Sequence, residues 1–280
     1  MIIDTHVHLY DPMRPKGVSW PEPENQLLYR TNLPVHARAQ AVPEGVTGVV
    51  VVEATNDLDD NQWILDLAED DPFIVGLVGR IDPCIEDFAR QVSRFAGSPI
   101  FQGIRFRGRP FYLEVENSSF LADMEVLADH DLVLDTMFTP EETDGFFTML
   151  DRLPQLRVMI EHIAGVKIDG GKPDAAWHAR MQRAAEYPNV YMKVSALMEN
   201  STIQPAPVDV DFYAPTIEAL RSCFGDDRLV YGSNWPVCER AGTYARCMDI
   251  VRTYYENQSE EVRGKFFCGN SKDIYRWGTS

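Results

Sequence analysis

The sequence lacks any apolar run near the ~20 residues that a membrane-spanning helix needs. It is also short of positive charge: its 280 residues include 43 Asp and Glu against 26 Lys and Arg, a formal net charge of −17. Such an acidic surface argues against nucleic acid and against anionic membranes as partners. The start, Met1-Ile2-Ile3-Asp4, has no basic segment followed by an apolar one, so no signal peptide is expected.

Cysteine is scarce and scattered, which argues against a disulfide framework and against a cysteine zinc site. The five cysteines form no C-x-x-C pair, and this usage fits a reducing cytoplasm. The sequence also has no G-x-S-x-G nucleophile elbow and no complete P-loop. A serine hydrolase of that type and a P-loop nucleotide-binding enzyme are therefore not predicted.

Short runs rich in Val and Ile alternate with longer helical patterns along the whole chain. Strands are predicted at Ile2–Val7, Gly48–Glu53, Ile74–Ile81, Phe101–Phe106, Leu132–Met137, Arg157–His162, Val190–Ser195 and Arg228–Ser233. Strands alternating with helices favour a parallel sheet covered by helices. Eight of them in one chain of this length predict a single α/β domain over residues 1–280, a closed (β/α)8 TIM barrel.

One predicted connection, from Tyr10 to Thr47, is much longer than the others. Connections longer than about 12–15 residues are usually functional or disordered. Because this one follows the first strand, it should lie over the C-terminal mouth of the barrel, where barrel enzymes have their active sites. We predict a lid whose Trp20 and Tyr29 can line the site; a surface excursion without substrate contact is the alternative.

The first strand ends in His6-Val7-His8, which is the strongest local signal of chemistry. Side chains alternate along a strand, so His6 and His8 should point the same way and reach one metal ion or one substrate oxygen. Histidine is the commonest metal ligand near neutral pH. By the same alternation Asp4 should share this face and could orient an imidazole.

Other strand ends supply further polar groups. The sixth ends in Glu161-His162, and we select His162 as the inward-facing residue, together with Val158 and Ile160. In the fourth, Arg105 and Arg107 share a face and suit a carboxylate or a polarised carbonyl.

Three more strands carry candidates. Lys193 in the seventh strand, between the opposite-facing Met192 and Val194, could stabilise an oxyanion or pair with a carboxylate inside the barrel. The eighth ends in Asn234 and the second in Glu53. Both should project toward the mouth.

Several stretches together resemble the amidohydrolase 2 branch of the amidohydrolase superfamily. They are Asp4-Thr5-His6-Val7-His8, the helix Asn61–Ala68, Gly103-Ile104-Arg105, Pro188–Ser195, Gly232–Pro236 and Gly269-Asn270-Ser271. The resemblance extends over nearly the whole chain. The branch is similar to sugar-lactone hydrolases and to 2-pyrone-4,6-dicarboxylate lactonase. It implies a barrel in which His6, His8, His162 and the residue at position 234 surround a lactone carbonyl. Lys193 matches a lysine typical of the branch.

Asn234 departs from this pattern, since the branch has an aspartate there as general base or metal ligand. A neutral amide cannot accept a proton from water. The end of the second strand departs as well, with Glu53 in place of an expected glutamine. We hypothesise that Glu53 supplies the carboxylate that Asn234 lacks. The rival hypothesis is an inactivated site, in which case Asn234→Asp should raise activity.

The predicted function is hydrolysis of a sugar or sugar-acid lactone by water attack on the ester carbonyl. The catalytic candidates are His6, His8, Glu53, His162 and Asn234, and the substrate-binding candidates are Arg105, Arg107, Lys193 and Trp20. One divalent metal, zinc or manganese, would be held by His6, His8, Glu53 and His162; a metal-independent reaction is the alternative, as members of the branch differ.

A decarboxylase, an amide hydrolase and an inactive sugar-acid binding barrel are the alternative functions. The expected partner is a small molecule. A homo-oligomer is compatible with the sequence.

Overall fold

The computed structural model describes residues 1–107 and 111–278 and contains eight strands in one parallel sheet. The strands are β1 (Ile3–Val7), β2 (Gly48–Val52), β3 (Ile74–Gly79), β4 (Phe101–Phe106), β5 (Val133–Thr136), β6 (Arg157–Ile160), β7 (Val190–Val194) and β8 (Leu229–Tyr231). Each pairs with the next in chain order.

Helices connect the strands, and further helices follow β8. They are α1 (Pro34–Ala41), α2 (Asp59–Asp70), α3 (Phe88–Ala96), α4 (Phe111–Glu114), α5 (Ser118–Asp129), α6 (Thr143–Arg152), α7 (Ala175–Ala185), α8 (Ala214–Phe224), α9 (Tyr244–Tyr255), α10 (Glu260–Gly264) and α11 (Asn270–Tyr275). Within the described ranges, no helix is long and apolar enough to span a lipid bilayer.

The sheet closes on itself between its first and last strands. Val7 forms a parallel bridge with Trp235, just beyond β8, and the backbone N–H of His8 donates to the carbonyl of Trp235 at 2.8 Å. The predicted (β/α)8 barrel is thereby confirmed. In such a barrel the C-terminal strand ends share one face, which is where catalytic side chains collect.

Two apolar layers follow from the alternation of side chains along the strands. The interior layer contains Ile3, Val50, Val52, Val78, Val133, Met159 and Val230, and it packs against Ile274, Tyr275 and Trp277 of the C-terminal segment. The outer layer includes Val49, Val51, Val158 and Ile160 and packs against the helices. The barrel interior is therefore filled below the site, and the polar strand ends lie above this core.

A register shift between Asp4 and Val7 changes the expected alternation in β1. Ile3 belongs to the interior layer and Val7 to the outer one, although strict alternation would place both on one face. Asp4 accepts hydrogen bonds from the backbone N–H of Ser233 and from the hydroxyl of Tyr244, each at 2.8 Å. The prediction that Asp4 orients an imidazole is therefore wrong: it ties β1 to the end of β8 and to α9.

The segment between β1 and α1, residues 10–33, brings Trp20 over the strand ends. Its indole lies 5.8 Å from the imidazole of His8, ring centre to ring centre, in an edge-on arrangement. Tyr10 also contacts Trp20, with ring centres 5.4 Å apart. The role of this segment as a lid stays a prediction.

Candidate active site

The two histidines of β1 lie together at the mouth, as their spacing predicts. Their Nε2 atoms are 3.2 Å apart, and both side chains are buried. Nδ1 of His8 donates to the carbonyl of Val52 at 3.0 Å, so Nε2 of His8 carries the lone pair. Nδ1 of His6 faces the ammonium of Lys193 at 3.2 Å and must accept, since an ammonium only donates. Nε2 of His6 then holds the proton and donates to His8.

Both residues at the end of β6 enter the site, whereas we predicted only His162. Glu161 continues the inward face of Met159, and its Oε1 lies 3.4 Å from Nδ1 of His6. The reason given for His162 is wrong, because Val158 and Ile160 face the helices. His162 reaches the site through a left-handed turn with φ of 52°. Its Nδ1 lies 2.8 Å from the hydroxyl of Ser195.

Arg105 of β4 connects the carboxylates on both sides of the mouth. Its Nε donates to Oε2 of Glu161 at 2.7 Å, and its Nη1 lies 3.6 Å from Oε1 of Glu53. Its Nη2 is 3.4 Å from Nε2 of His162. Arg107 donates to Glu53 through Nε at 2.7 Å and through Nη2 at 3.4 Å. Glu53 is therefore held by two guanidinium groups.

Lys193 lies below His6, inside the barrel, and does not line the open cavity. Its ammonium donates to Oδ2 of Asp135 at 2.8 Å, and both side chains are fully buried. Tyr275 of α11 donates to the same carboxylate oxygen at 2.7 Å. Our sequence reasoning missed Asp135, although a carboxylate in the middle of the apolar stretch Leu132–Met137 is the same kind of signal that identified Lys193.

Burial and neighbouring charge keep the three imidazoles neutral. Burial lowers the pKa of His6 well below its usual value, and the positive charge of Lys193 lowers it further. Burial lowers the pKa of His8 to about 4, assisted by Arg105. Burial lowers the pKa of His162 to about 3 despite the opposing charge of Glu161. The site thus presents unprotonated ring nitrogens at neutral pH, the form that can ligate a metal or accept a hydrogen bond.

The two buried carboxyl groups beneath these imidazoles have different pKa values. Burial opposes the ionisation of Glu161, but the charges of Arg105 and Lys193 and the hydrogen bond from Arg105 together contribute to lowering the pKa to about 2. Burial raises the pKa of Asp135 to about 6, although Lys193 opposes the rise. Glu161 is therefore a fixed anion that balances Arg105.

Asn234 lies at the end of β8 in a left-handed conformation with φ of 61°, which asparagine and aspartate tolerate better than most residues. Its Nδ2 donates to Oε1 of Glu199 at 2.8 Å. Burial raises the pKa of Glu199 to about 7. Glu199 follows β7 in a loop where no sequence pattern singles it out, and our sequence reasoning missed it.

These side chains surround an open cavity of about 250 Å³. It is lined by His8, Trp20, Glu53, Ala54, Arg105, Arg107, His162, Asn234 and Val237. Seven of these residues, all but Ala54 and Val237, were predicted for the site. Tyr29, the other predicted aromatic of the lid, is not among the described residues that line the cavity.

The described residues contain one group of nitrogen and oxygen atoms suited to a metal ion. Atoms of His6, Glu161 and His162 lie within 4.8 Å of one another, and Oε1 of Glu161 has no hydrogen-bond partner among the described residues. The predicted ligand set contained Glu53 in place of Glu161. Glu53 instead faces Arg107 and Arg105.

The family model for amidohydrolases matches residues 3–277. The chain belongs to the amidohydrolase family. The resemblance and the hydrolase class inferred from the sequence are thereby confirmed.

One relative and two crystal structures illustrate the similarity. An L-fucono-1,5-lactonase of Burkholderia ambifaria is 28% identical over 287 residues, covering 98% of this chain and 95% of its own. A crystal structure of an amidohydrolase from Burkholderia multivorans with bound HEPES has a TM-score of 0.88 at 22% identity, and 99% of each chain is covered. A second crystal structure of a B. multivorans amidohydrolase, with bound zinc, has a TM-score of 0.87, also at 22% identity and 99% coverage of each chain.

Proposed function

We propose that this amidohydrolase opens the ester bond of a sugar or sugar-acid lactone by adding water to its carbonyl carbon. The observation that carries the proposal is the cavity of about 250 Å³ at the mouth of the barrel, where neutral imidazoles and a guanidinium converge. The lactonase relative, which aligns over 98% of this chain, supports the same substrate class.

Arg105 is the group best suited to the carbonyl oxygen. When water adds to an ester, this oxygen becomes negatively charged, and a fixed cation in a partly buried site stabilises that charge. Glu161 and Glu53 hold the guanidinium from two sides, so it does not need to reorganise during the reaction. Trp20 offers an aromatic face to the apolar side of a sugar ring.

His8 and His162 line the same cavity and accept hydrogen bonds through unprotonated Nε2 atoms. A water between them and the substrate carbon would be oriented for attack. Its oxygen bonds to the carbonyl carbon while Nε2 of His162 takes up one of its protons; the ring C–O bond then breaks, and His162 returns this proton to the ring oxygen. The ring oxygen thereby becomes the hydroxyl of the open-chain acid.

The donor set also fits one divalent metal ion, zinc or manganese, because neutral imidazoles and a carboxylate are suitable ligands. The residues that would hold it are His6, His8, Glu161 and His162. When bound, such an ion polarises the carbonyl and lowers the pKa of water. In the tautomer that leaves Nε2 of His6 free as a ligand, the proton would lie on Nδ1 and be directed at Oε1 of Glu161, 3.4 Å away, in place of the contact with Lys193.

The contacts of Glu53 with Arg107 and Arg105 argue against the hypothesis that Glu53 is the general base. The oxygens of Glu53 accept hydrogen bonds from Arg107 and lie close to Arg105, so they face two guanidinium groups rather than a water molecule. We therefore propose that Glu53 orients the two guanidinium groups. Glu53→Gln should then lower kcat/KM without changing the shape of its pH profile, whereas loss of the acidic limb of that profile would establish Glu53 as the base.

A panel of sugar lactones, aromatic lactones and amides, assayed by proton release with and without chelator, tests the proposal. We expect turnover of sugar lactones and none of the amides. Binding of sugar acids with no turnover in any metal condition would instead identify an inactive binding barrel. Loss of turnover with chelator and its recovery with zinc or manganese would establish the metal.

A further inference from the structure

Asn234 occupies the position where the resemblance implies an acid. Its amide is hydrogen-bonded to a carboxylate, that of Glu199. Nδ2 of Asn234 donates to Oε1 of Glu199 at 2.8 Å. The other carboxylate oxygen, Oε2, is buried and has no hydrogen-bond partner among the described residues. The buried oxygens of Glu199 therefore have the amide of Asn234 as their side-chain hydrogen-bond donor.

We propose that Glu199 is a positioning residue that fixes the amide of Asn234 with its oxygen toward the substrate cavity. This inference rests on the proposed lactone hydrolysis, because it assigns Asn234 a part in that reaction. A carboxyl oxygen that carries no proton only accepts hydrogen bonds, so Oε1 of Glu199 selects the amide orientation in which nitrogen faces it. Asn234 lines the cavity, and its Oδ1 is then the atom left to face the reacting water.

The backbone at this point supports a side chain with one fixed orientation. The left-handed conformation of Asn234 places it at a turn between β8 and the bridge at Trp235. Its own carbonyl accepts from the N–H of Cys238 at 3.0 Å. The main chain of Asn234 is held by this bond, and its side-chain amide is held by Glu199.

Compared with an aspartate at 234 held by a glutamine at 199, the acid and the amide have exchanged positions in this pair. With aspartate at 234 and glutamine at 199, the glutamine nitrogen would donate to the aspartate and the same two positions would remain bonded. With aspartate at 234 and glutamate at 199, two carboxyl groups would meet at hydrogen-bond distance and compete for one proton. Glu199 thus explains why position 234 is neutral in this chain.

Four variants test the coupling: E199Q, E199L, N234D and the double variant N234D/E199Q. E199Q keeps an acceptor for Asn234 but can also donate to it, so it should fix the amide less strictly than Glu199 and lose less of the lactone hydrolysis than E199L. E199L removes it, and kcat should fall about 10- to 100-fold with KM little changed, the size usual for partners that orient site groups through hydrogen bonds. N234D alone should be the most impaired at pH 7, and adding E199Q should restore activity.

Thermal unfolding of the same variants separates this inference from the proposed function, because it needs no substrate. N234D should lower Tm more when it is introduced into the wild-type chain than when it is introduced into the E199Q variant. Additive effects on Tm would overturn the pairing whether or not the protein hydrolyses lactones. Equal kcat for E199L and E199Q would overturn the positioning role even if the two sites are coupled in stability.

Discussion

Replacement of Lys193 by methionine should destabilise the fold strongly. The ammonium bonds to Asp135 at 2.8 Å, and neither side chain is exposed to solvent. Methionine fills a similar volume but leaves the carboxylate of Asp135 buried without its cation, while Tyr275 remains as a neutral donor. Removing one partner of a buried ion pair costs about 3–5 kcal/mol, because the other charge stays uncompensated.

For a domain of this size, each kcal/mol shifts Tm by roughly 2–4 °C, so Lys193→Met should lower Tm by roughly 6–20 °C at pH 8. Urea unfolding followed by circular dichroism measures the same loss as free energy. The loss should be smaller at pH 5, where Asp135, whose pKa burial already raises to about 6, can become neutral by taking up a proton. A double variant with Asp135→Asn should recover part of the loss at pH 8.

A matched control uses an exposed lysine with two similar ion pairs. Lys265 lies 2.8 Å from Asp227 and 2.9 Å from Glu261, with 37% of its side chain exposed. Surface pairs of this kind contribute about 0–1 kcal/mol, so Lys265→Met should change little. If Lys193→Met were as mild as Lys265→Met, the account of the buried network under His6 would be refuted.

Three other expectations follow from the site. Because burial raises the pKa of Glu199 to about 7, its ionisation opposes folding, and E199Q should be the more stable protein at pH 8; urea titrations should show this advantage constant down to about pH 7 and then shrinking by about 1.4 kcal/mol per pH unit down to about pH 4.5. Arg105→Lys should lower kcat/KM for a lactone by about 10²–10³-fold, while Arg107→Lys, at a side chain 43% exposed, should lower it much less. Gly232→Ala would place Cβ 2.9 Å from Cβ of His6, so calorimetry should show a loss of about 1–3 kcal/mol together with reduced activity.

The sequence predicts the barrel well because its signal is repeated eight times. Most strands are short runs rich in apolar residues, and the helices between the strands leave a closed parallel sheet as the simplest arrangement. The placement of Arg105 and Lys193 also follows from alternation, since both lie in regular parts of β4 and β7. Their neighbours Ile104, Met192 and Val194 pack outward against the helices.

Alternation fails where the backbone is irregular. The register shift in β1 turns Asp4 away from the imidazoles, and the left-handed turn at His162 lets two consecutive residues, Glu161 and His162, reach one site. The register shift in β1 has no glycine that would reveal it, and the glycine of the turn after β6, Gly165, comes only three residues after His162. Glu199 could not be identified from the sequence either, because it enters the site through its hydrogen bond with Asn234, which is 35 residues away along the chain.

The most direct test of the central claim is the rate of sugar-lactone hydrolysis by the wild-type chain and by His162→Asn. His162 is selected because it lines the cavity with an unprotonated nitrogen and is held at its other nitrogen by Ser195. The account predicts turnover well above the spontaneous rate for the wild type, a drop of about 10²–10⁴-fold for the variant, and closely similar Tm values. Equal rates for the two proteins, or a wild-type rate no faster than spontaneous opening with or without added zinc or manganese, would contradict it.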